Sequence, residues 1–198
     1  MRLKRDLLFG FFAGVLAGIF LLPVMKNIEV RIPYQYFLLF LVLPLVSAFW
    51  VFAAAKFIPA GSSIFEFAKF IITGGLNTAI DFGILNLLIL ATGQATGISF
   101  SLFKSFSFIG ANINSYFWNK FWTFRRNDSV SRQEYAKFFG VSVLGLILNV
   151  AASSFVVNLI GPQFGLSQNV WANVGAGVGA LVGLFLNFVG YKFVVFEK

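Results

Sequence analysis

The sequence predicts an all-α membrane protein with six transmembrane helices: an N-terminal hairpin, then a four-helix unit built from two parallel helical-hairpin repeats. Three observations carry that prediction. The 198 residues are 59% hydrophobic and only 11% charged, with a mean hydropathy of +0.86, whereas a water-soluble domain carries about 25% charged residues. Six apolar runs, near 7–25, 36–56, 68–92, 98–119, 136–160 and 170–191, are long enough to span, since a hydrocarbon core of ~30 Å takes about 20 helical residues. The alternating segments of ~10 residues that mark a membrane β-barrel do not occur.

The first run begins "MRLKRDLLFGFFAGVLAGIFLLPVM". Its apolar part exceeds the about 7–15 residues of a leader and no A-x-A-like site follows, so a retained helix is expected. Gly10, Gly14 and Gly18 recur every fourth residue, a groove that lets a neighbouring helix approach closely. The second run completes a hairpin. "FIPAGSS", 57–63, then breaks the chain with Pro59 and Gly61 and reads as a linker. The expected division is therefore 1–63 for the hairpin and linker and 64–198 for the four-helix domain.

Within 64–198 the chain repeats itself. "FAKFIITGGLNTAIDF" (67–82) aligns with "YAKFFGVSVLGLILNV" (135–150), placing Lys69 on Lys137 and Asp81 on Asn149. "SYFWNKFWTF" (115–124) aligns with "NFVGYKFVVF" (187–196), placing Lys120 on Lys192 and Phe124 on Phe196. Two hairpins running in the same sense are related by an axis along the membrane normal. Gly175, Gly179 and Gly183 give the sixth run a small-residue stripe like that of the first. Packing is its ordinary use, a sliding surface the alternative. Trp118, Trp122, Tyr116, Tyr135 and Tyr191 fall near helix ends, where amphipathic rings favour the headgroup level.

The +8 net charge is read as topology, with no nucleic-acid partner expected. Arg2, Lys4 and Arg5, then Lys56 and Lys69, then Lys120, Arg125, Arg126, Arg132 and Lys137, then Lys192 and Lys198 all fall on one side. The connections 93–97 and 161–169 carry no charge. The positive-inside rule puts both termini in the cytoplasm.

Ionisable groups inside spans are expensive and mark function by default. Asp81 lies ~21 Å from the cytoplasmic edge at a 1.5 Å rise per residue, and Lys104, descending from the other side, lies at ~21 Å as well. The two are expected to pair or to share one polar cavity. The second repeat has Asn149 and neutral residues around 172–176 instead. Asn77, Asn112, Asn114, Asn119, Asn149 and Asn187 add amides. Interhelical amide bonds of ~0.6–2 kcal/mol explain such residues. Convergence with Lys69, Lys120, Lys137 and Lys192 would instead form a wet cationic pocket suited to phosphate. A basic rim also follows from the positive-inside rule alone.

With no Cys and no His, disulfides, thiolate–zinc sites, Cys nucleophiles and His acid–base catalysis are excluded. Seven acids and no D-x-D pair argue against a catalyst. No cofactor or metal is expected.

"FAKFIITGGLNTAIDF" followed by "SYFWNKFWTF" closely resembles the GtrA-like family, marked by a G-G-x-N-T-x-x-D run and an N-F-x-x-N-[KR]-x-W-T-F run. Gly74, Gly75, Asn77, Thr78 and Asp81 fit the first. Trp118, Asn119, Lys120, Trp122, Thr123 and Phe124 fit the second, with Ser115 and Tyr116 in place of Asn-Phe. The likeness covers roughly 65–198. It implies a four-helix inner-membrane protein of polysaccharide synthesis, related to the membrane domains of dolichol-phosphate mannose synthases. It also implies handling of polyprenyl-phosphate-linked sugars, by flipping them or as the membrane part of a glycosyltransferase. On that resemblance Lys69, Lys120, Arg125 and Lys192 would form a basic mouth, and Asn77, Asp81, Asn112 and Lys104, with Asn119, would line the path. Partners implied are the lipid-linked sugar, membrane lipids, a glycosyltransferase and further copies of the chain. The rival readings are a non-transporting anchor for a glycosyltransferase and a small cation or drug transporter using Asp81.

Overall fold

The computed structural model describes residues 2–60, 62–125 and 132–190. Every regular element among them is helical. Six long helices follow one another: α1 (Arg2–Asn27), α2 (Gln35–Phe57), α3 (Ser63–Thr92), α4 (Gly97–Trp118, extended by a wider turn over Asn119–Thr123), α5 (Arg132–Ser154, extended likewise over Phe155–Ile160) and α6 (Gln168–Gly190). Four of them, over Leu3–Asn27, Gln35–Phe57, Ile64–Thr92 and Ala136–Ile160, are long and apolar enough to cross a membrane. The six apolar runs and the six helices correspond in order and nearly in extent.

Local chemistry sets the breaks. In α2 a wide turn over Leu38–Val42 precedes Pro44, whose ring has no N–H to give and crowds the preceding turn. Gly93, at φ 70°, ends α3 while its N–H donates to Ile89 O at 2.7 Å. Gly161, at φ 69°, ends α5. Both take a positive φ, which glycine adopts without a Cβ penalty. Ser167 opens α6, its Oγ accepting from Val170 N at 3.4 Å, as an N-cap does.

The chain packs as two compact units, the described parts of Met1–Ile84 with Gly110–Asn127 and of Leu85–Ile109 with Asp128–Lys198. This division differs from the sequence-based boundary at 63/64. The α1–α2 hairpin belongs to one body with the first part of α3 and the second part of α4.

In the first unit the glycine stripe of α1 lies against α2. A Cβ on Gly14 would sit 2.4 Å from Pro44 Cα, and one on Gly18 would sit 2.6 Å from Leu39 O. Ala13, Ala17, Leu76, Ala79, Ile80 and Ala111 form a core of mostly small residues, and a second cluster gathers Val51, Ala54, Phe65, Ala68 and Trp122. Small side chains let backbones approach where lipid gives no hydrophobic drive between helices.

In the second unit the α6 stripe does the same work. A Cβ on Gly175 would lie 2.3 Å from Val157 Cγ2, and one on Gly179 only 1.9 Å from Ser153 Oγ. Packing therefore accounts for both stripes.

Candidate functional site

The first unit gathers one polar cluster at the end where α1 and α3 begin and α4 finishes. The last turn of any helix leaves carbonyls without intrahelical donors. Here Lys69 Nζ donates to two of them, Trp122 O at 2.9 Å and Thr123 O at 2.7 Å. An ammonium at a helix C-terminus also meets the favourable end of the dipole. Its Nζ sits 5.3 Å over the Phe65 ring, and Lys69 is only 2% exposed. One turn further in, the hydroxyls of Thr73 and Thr123 share a hydrogen bond of 3.1 Å.

The other end of this cluster comes from α1. The buried Asp6 accepts from Trp122 Nε1 at 3.1 Å and pairs with Arg125 Nη2 through the same oxygen, Oδ1. Arg125 takes a left-handed backbone, φ 48°, as the chain leaves α4. Phe9 stacks on Trp122 with centroids 5.9 Å apart, and Trp118 meets both rings edge-on. Arg125 Nε is buried with no hydrogen-bond partner among the described residues.

Two expectations are corrected here. The family resemblance groups Lys69 with a basic mouth; it is buried, because the carbonyls at the end of α4 hold its ammonium. The sequence also places Trp122 in an interfacial belt; it is fully buried, because Asp6 satisfies its N–H.

Lys120 is half-buried, donating to Tyr116 Oη at 3.2 Å and lying 5.5 Å over that ring. Asn119 Nδ2 donates to Ser115 Oγ at 3.1 Å, and its Oδ1 is buried without a partner among the described residues. Deeper in, Asn114 Nδ2 donates to Asn77 Oδ1 at 2.6 Å. Asn112 is half-buried. Asp81, on α3, is 5% exposed. Gly74 and Gly75 face open space: a Cβ added at either would meet nothing within 4 Å. Lys192 lies outside the described residues.

Lys104, on α4, falls in the second unit and is 0% exposed. Neither buried charge is turned toward lipid. The same unit holds a reciprocal amide pair, Asn86 with Asn173, at 2.6 and 2.9 Å. Asn158 clasps the Gly97 backbone through its N–H at 2.6 Å and its carbonyl at 3.2 Å. Ser101 and Ser154 hydroxyls lie 2.6 Å apart. Asn149 Oδ1 and Ser153 Oγ are buried at the α5–α6 contact without a partner among the described residues.

Sequence reasoning missed Asp6, Asn86, Asn158 and Asn173. For the asparagines a signal existed, an amide inside an apolar run. For Asp6 there was none, because it follows three basic residues and looks like part of a solvated tail.

Comparison with known proteins adds one family and one relative. The family model of the GtrA/DPMS transmembrane domain matches residues 69–196. An uncharacterized membrane protein of Bacillus subtilis (strain 168), YngA, is 29% identical over 148 residues, covering 74% of this chain and 89% of that protein. No solved structure matches the chain.

Proposed function

Because the chain belongs to the family of GtrA/DPMS transmembrane domains, we propose that it is a multi-pass protein of cell-surface glycan synthesis that binds polyprenyl-phosphate-linked sugars and moves them between leaflets. The observation that supports this reading is the burial of Asp81 and Lys104, at 5% and 0% exposure, within the helices of a chain that is 59% hydrophobic. A charge at bilayer depth costs from ~3 to over ~10 kcal/mol. Retaining two, with amides such as Asn77 and Asn114 on the same helices, supplies hydrogen-bonding groups where a phosphate or sugar loses its water. Lys120 and Arg125 stand at the cytoplasmic mouth in this reading, with both termini in the cytoplasm of a cell membrane. Exposed rings of the first unit such as Phe67 and Phe121 offer the isoprenoid tail a lateral surface.

A second reading is favoured by the 120–137 segment, which carries Lys120, Arg125, Arg126, Arg132 and Lys137. So basic a segment suits a non-transporting membrane subunit that docks a glycosyltransferase.

The two are separated by reconstitution in liposomes with a fluorescent polyprenyl-phosphate sugar, scored for movement between leaflets. Transport above protein-free vesicles is expected. Asp81→Asn or Lys104→Ala should slow it by about tenfold or more, equivalent to ~1.4 kcal/mol on the barrier. No movement, together with co-purification of a glycosyltransferase, replaces transport by anchoring. Uptake of cationic dyes instead would remove both.

A further inference from the structure

At the basic end of the first unit a carboxylate sits among donors that it does not fill. Asp6 Oδ1 takes both the Trp122 indole N–H and Arg125 Nη2. Arg125 Nε, on the same edge of the guanidinium as Nη2, is buried and has no partner among the described residues. That edge is shaped to hold two oxygens side by side, and one carboxylate oxygen meets only one of its N–H groups. Lys69, held on the Trp122 and Thr123 backbone carbonyls, adds positive charge to the same cluster. A tetrahedral oxyanion would bring further oxygens to the same donors.

We propose that this cluster is an anion site for a phosphate monoester or diester, and that Asp6 is its internal occupant. The first turn of α1 closes the site by placing a carboxylate where the phosphate goes. The inference rests on the phosphate chemistry of the proposed function and adds a control to it. Asp6 lies outside the residues 69–196 matched by the family model, so the hairpin brings a regulator that the matched domain does not contain.

The exposure pattern identifies the moving part. Leu3, Lys4 and Arg5 are exposed, while Leu7 and Phe9 pack against the buried cluster around Trp122. Releasing Asp6 needs one terminal turn to unwind and leaves the rest of α1 in place. Until then the carboxylate competes with the ligand, lowering apparent affinity by the fraction of time the site stands open.

The test uses full-length protein in nanodiscs of zwitterionic lipid, isotope-labelled at tryptophan nitrogen. The Trp122 indole resonance is assigned by Trp122→Phe. Farnesyl phosphate is expected to shift it, and farnesol is not. Asp6→Asn keeps an acceptor for the indole but removes the competing charge, and should lower the half-saturating concentration by about tenfold if the site is nine-tenths closed. Arg125→Gln in that background should lose the gain.

A measurement on the unaltered protein guards against misfolding of the variant. Farnesyl phosphate should speed hydrogen exchange at residues 6–9, whose amides donate to the carbonyls of that first turn, which a purely structural Asp6 would not do. A folded Asp6→Asn protein that binds no more tightly, or a first turn whose protection is unchanged by ligand, overturns the proposal. An equal response to phosphatidylglycerol keeps Asp6 as occupant and assigns the site to lipid phosphates in general. Tighter binding by Asp6→Asn with no sugar movement in liposomes leaves the anion site standing and removes transport.

Discussion

Lys69 and Lys137 hold aligned positions in the two repeats, yet Lys69 is 2% exposed and bonded to two carbonyls whereas Lys137 is exposed. The aligned sequences differ in step. Thr73 and Thr123, which share a hydrogen bond, align with Val141 and Val195, and Trp122 aligns with Val194. Both hydroxyls are replaced at once, as expected where a buried partner left alone costs more than losing the pair. At mid-depth Asp81 and its counterpart Asn149 are 5% and 2% exposed, and Lys104 and Ala176, 72 residues on, are both 0% exposed. At these two pairs of positions burial is common to both runs, and the ionisable residue is confined to the first.

That contrast can be attacked by moving residues between the copies. The largest effect should come from Gly179→Ser, which imports Ser107 of the first repeat. The new Cβ would lie 1.9 Å from Ser153 Oγ and 2.5 Å from Asn149 O, so α5 must retreat at a cost of ~1–3 kcal/mol. A lowered unfolding midpoint in detergent measures it. Gly75→Ala, with open space around it, is the control and should gain ~0.5–1 kcal/mol. If the two behave alike, the close α5–α6 contact is not what the glycine serves.

Next comes Lys69→Met, which strips the Trp122 and Thr123 carbonyls of their donor and should cost ~1–3 kcal/mol. Lys137→Met should stay within about 0.5 kcal/mol. Equal losses in the same denaturation assay would erase the distinction between the copies.

The smallest effect sharpens the comparison most. Thr73→Val and Thr123→Val should each destabilise by ~1 kcal/mol, because each leaves a buried hydroxyl alone. The double variant, which copies the second repeat, should be more stable than the sum of the singles by ~0.5–1.5 kcal/mol. Strict additivity would mean the hydroxyls are not coupled.

The helices were legible because hydropathy over about 20 residues reports a property each span has by itself. The same holds for the glycine stripes, whose spacing of four is local. What the clusters do was not legible. Lys69 looks like any lysine at a membrane edge until the end of α4, 53 and 54 residues away, supplies its acceptors. Asp6 meets Arg125 across 119 residues, and its neighbours Lys4 and Arg5 suggest solvent. Hydropathy averages a residue with its chain neighbours, and these two side chains are governed by distant ones. Asp81 and Lys104 were found because no average hides a charge in mid-run.

The glycine contacts between α1 and α2 have a consequence for biosynthesis. Both partners of that crossing lie between Leu3 and Phe57, adjacent in the chain, so the hairpin can close as soon as it enters the bilayer. Trp122 arrives 116 residues after Asp6, roughly 6–23 s later at about 5–20 residues per second. For that interval the carboxylate has neither indole nor guanidinium to meet. Its place in the opening turn lets it wait among lipid headgroups, hydrated, until the end of α4 is delivered to it.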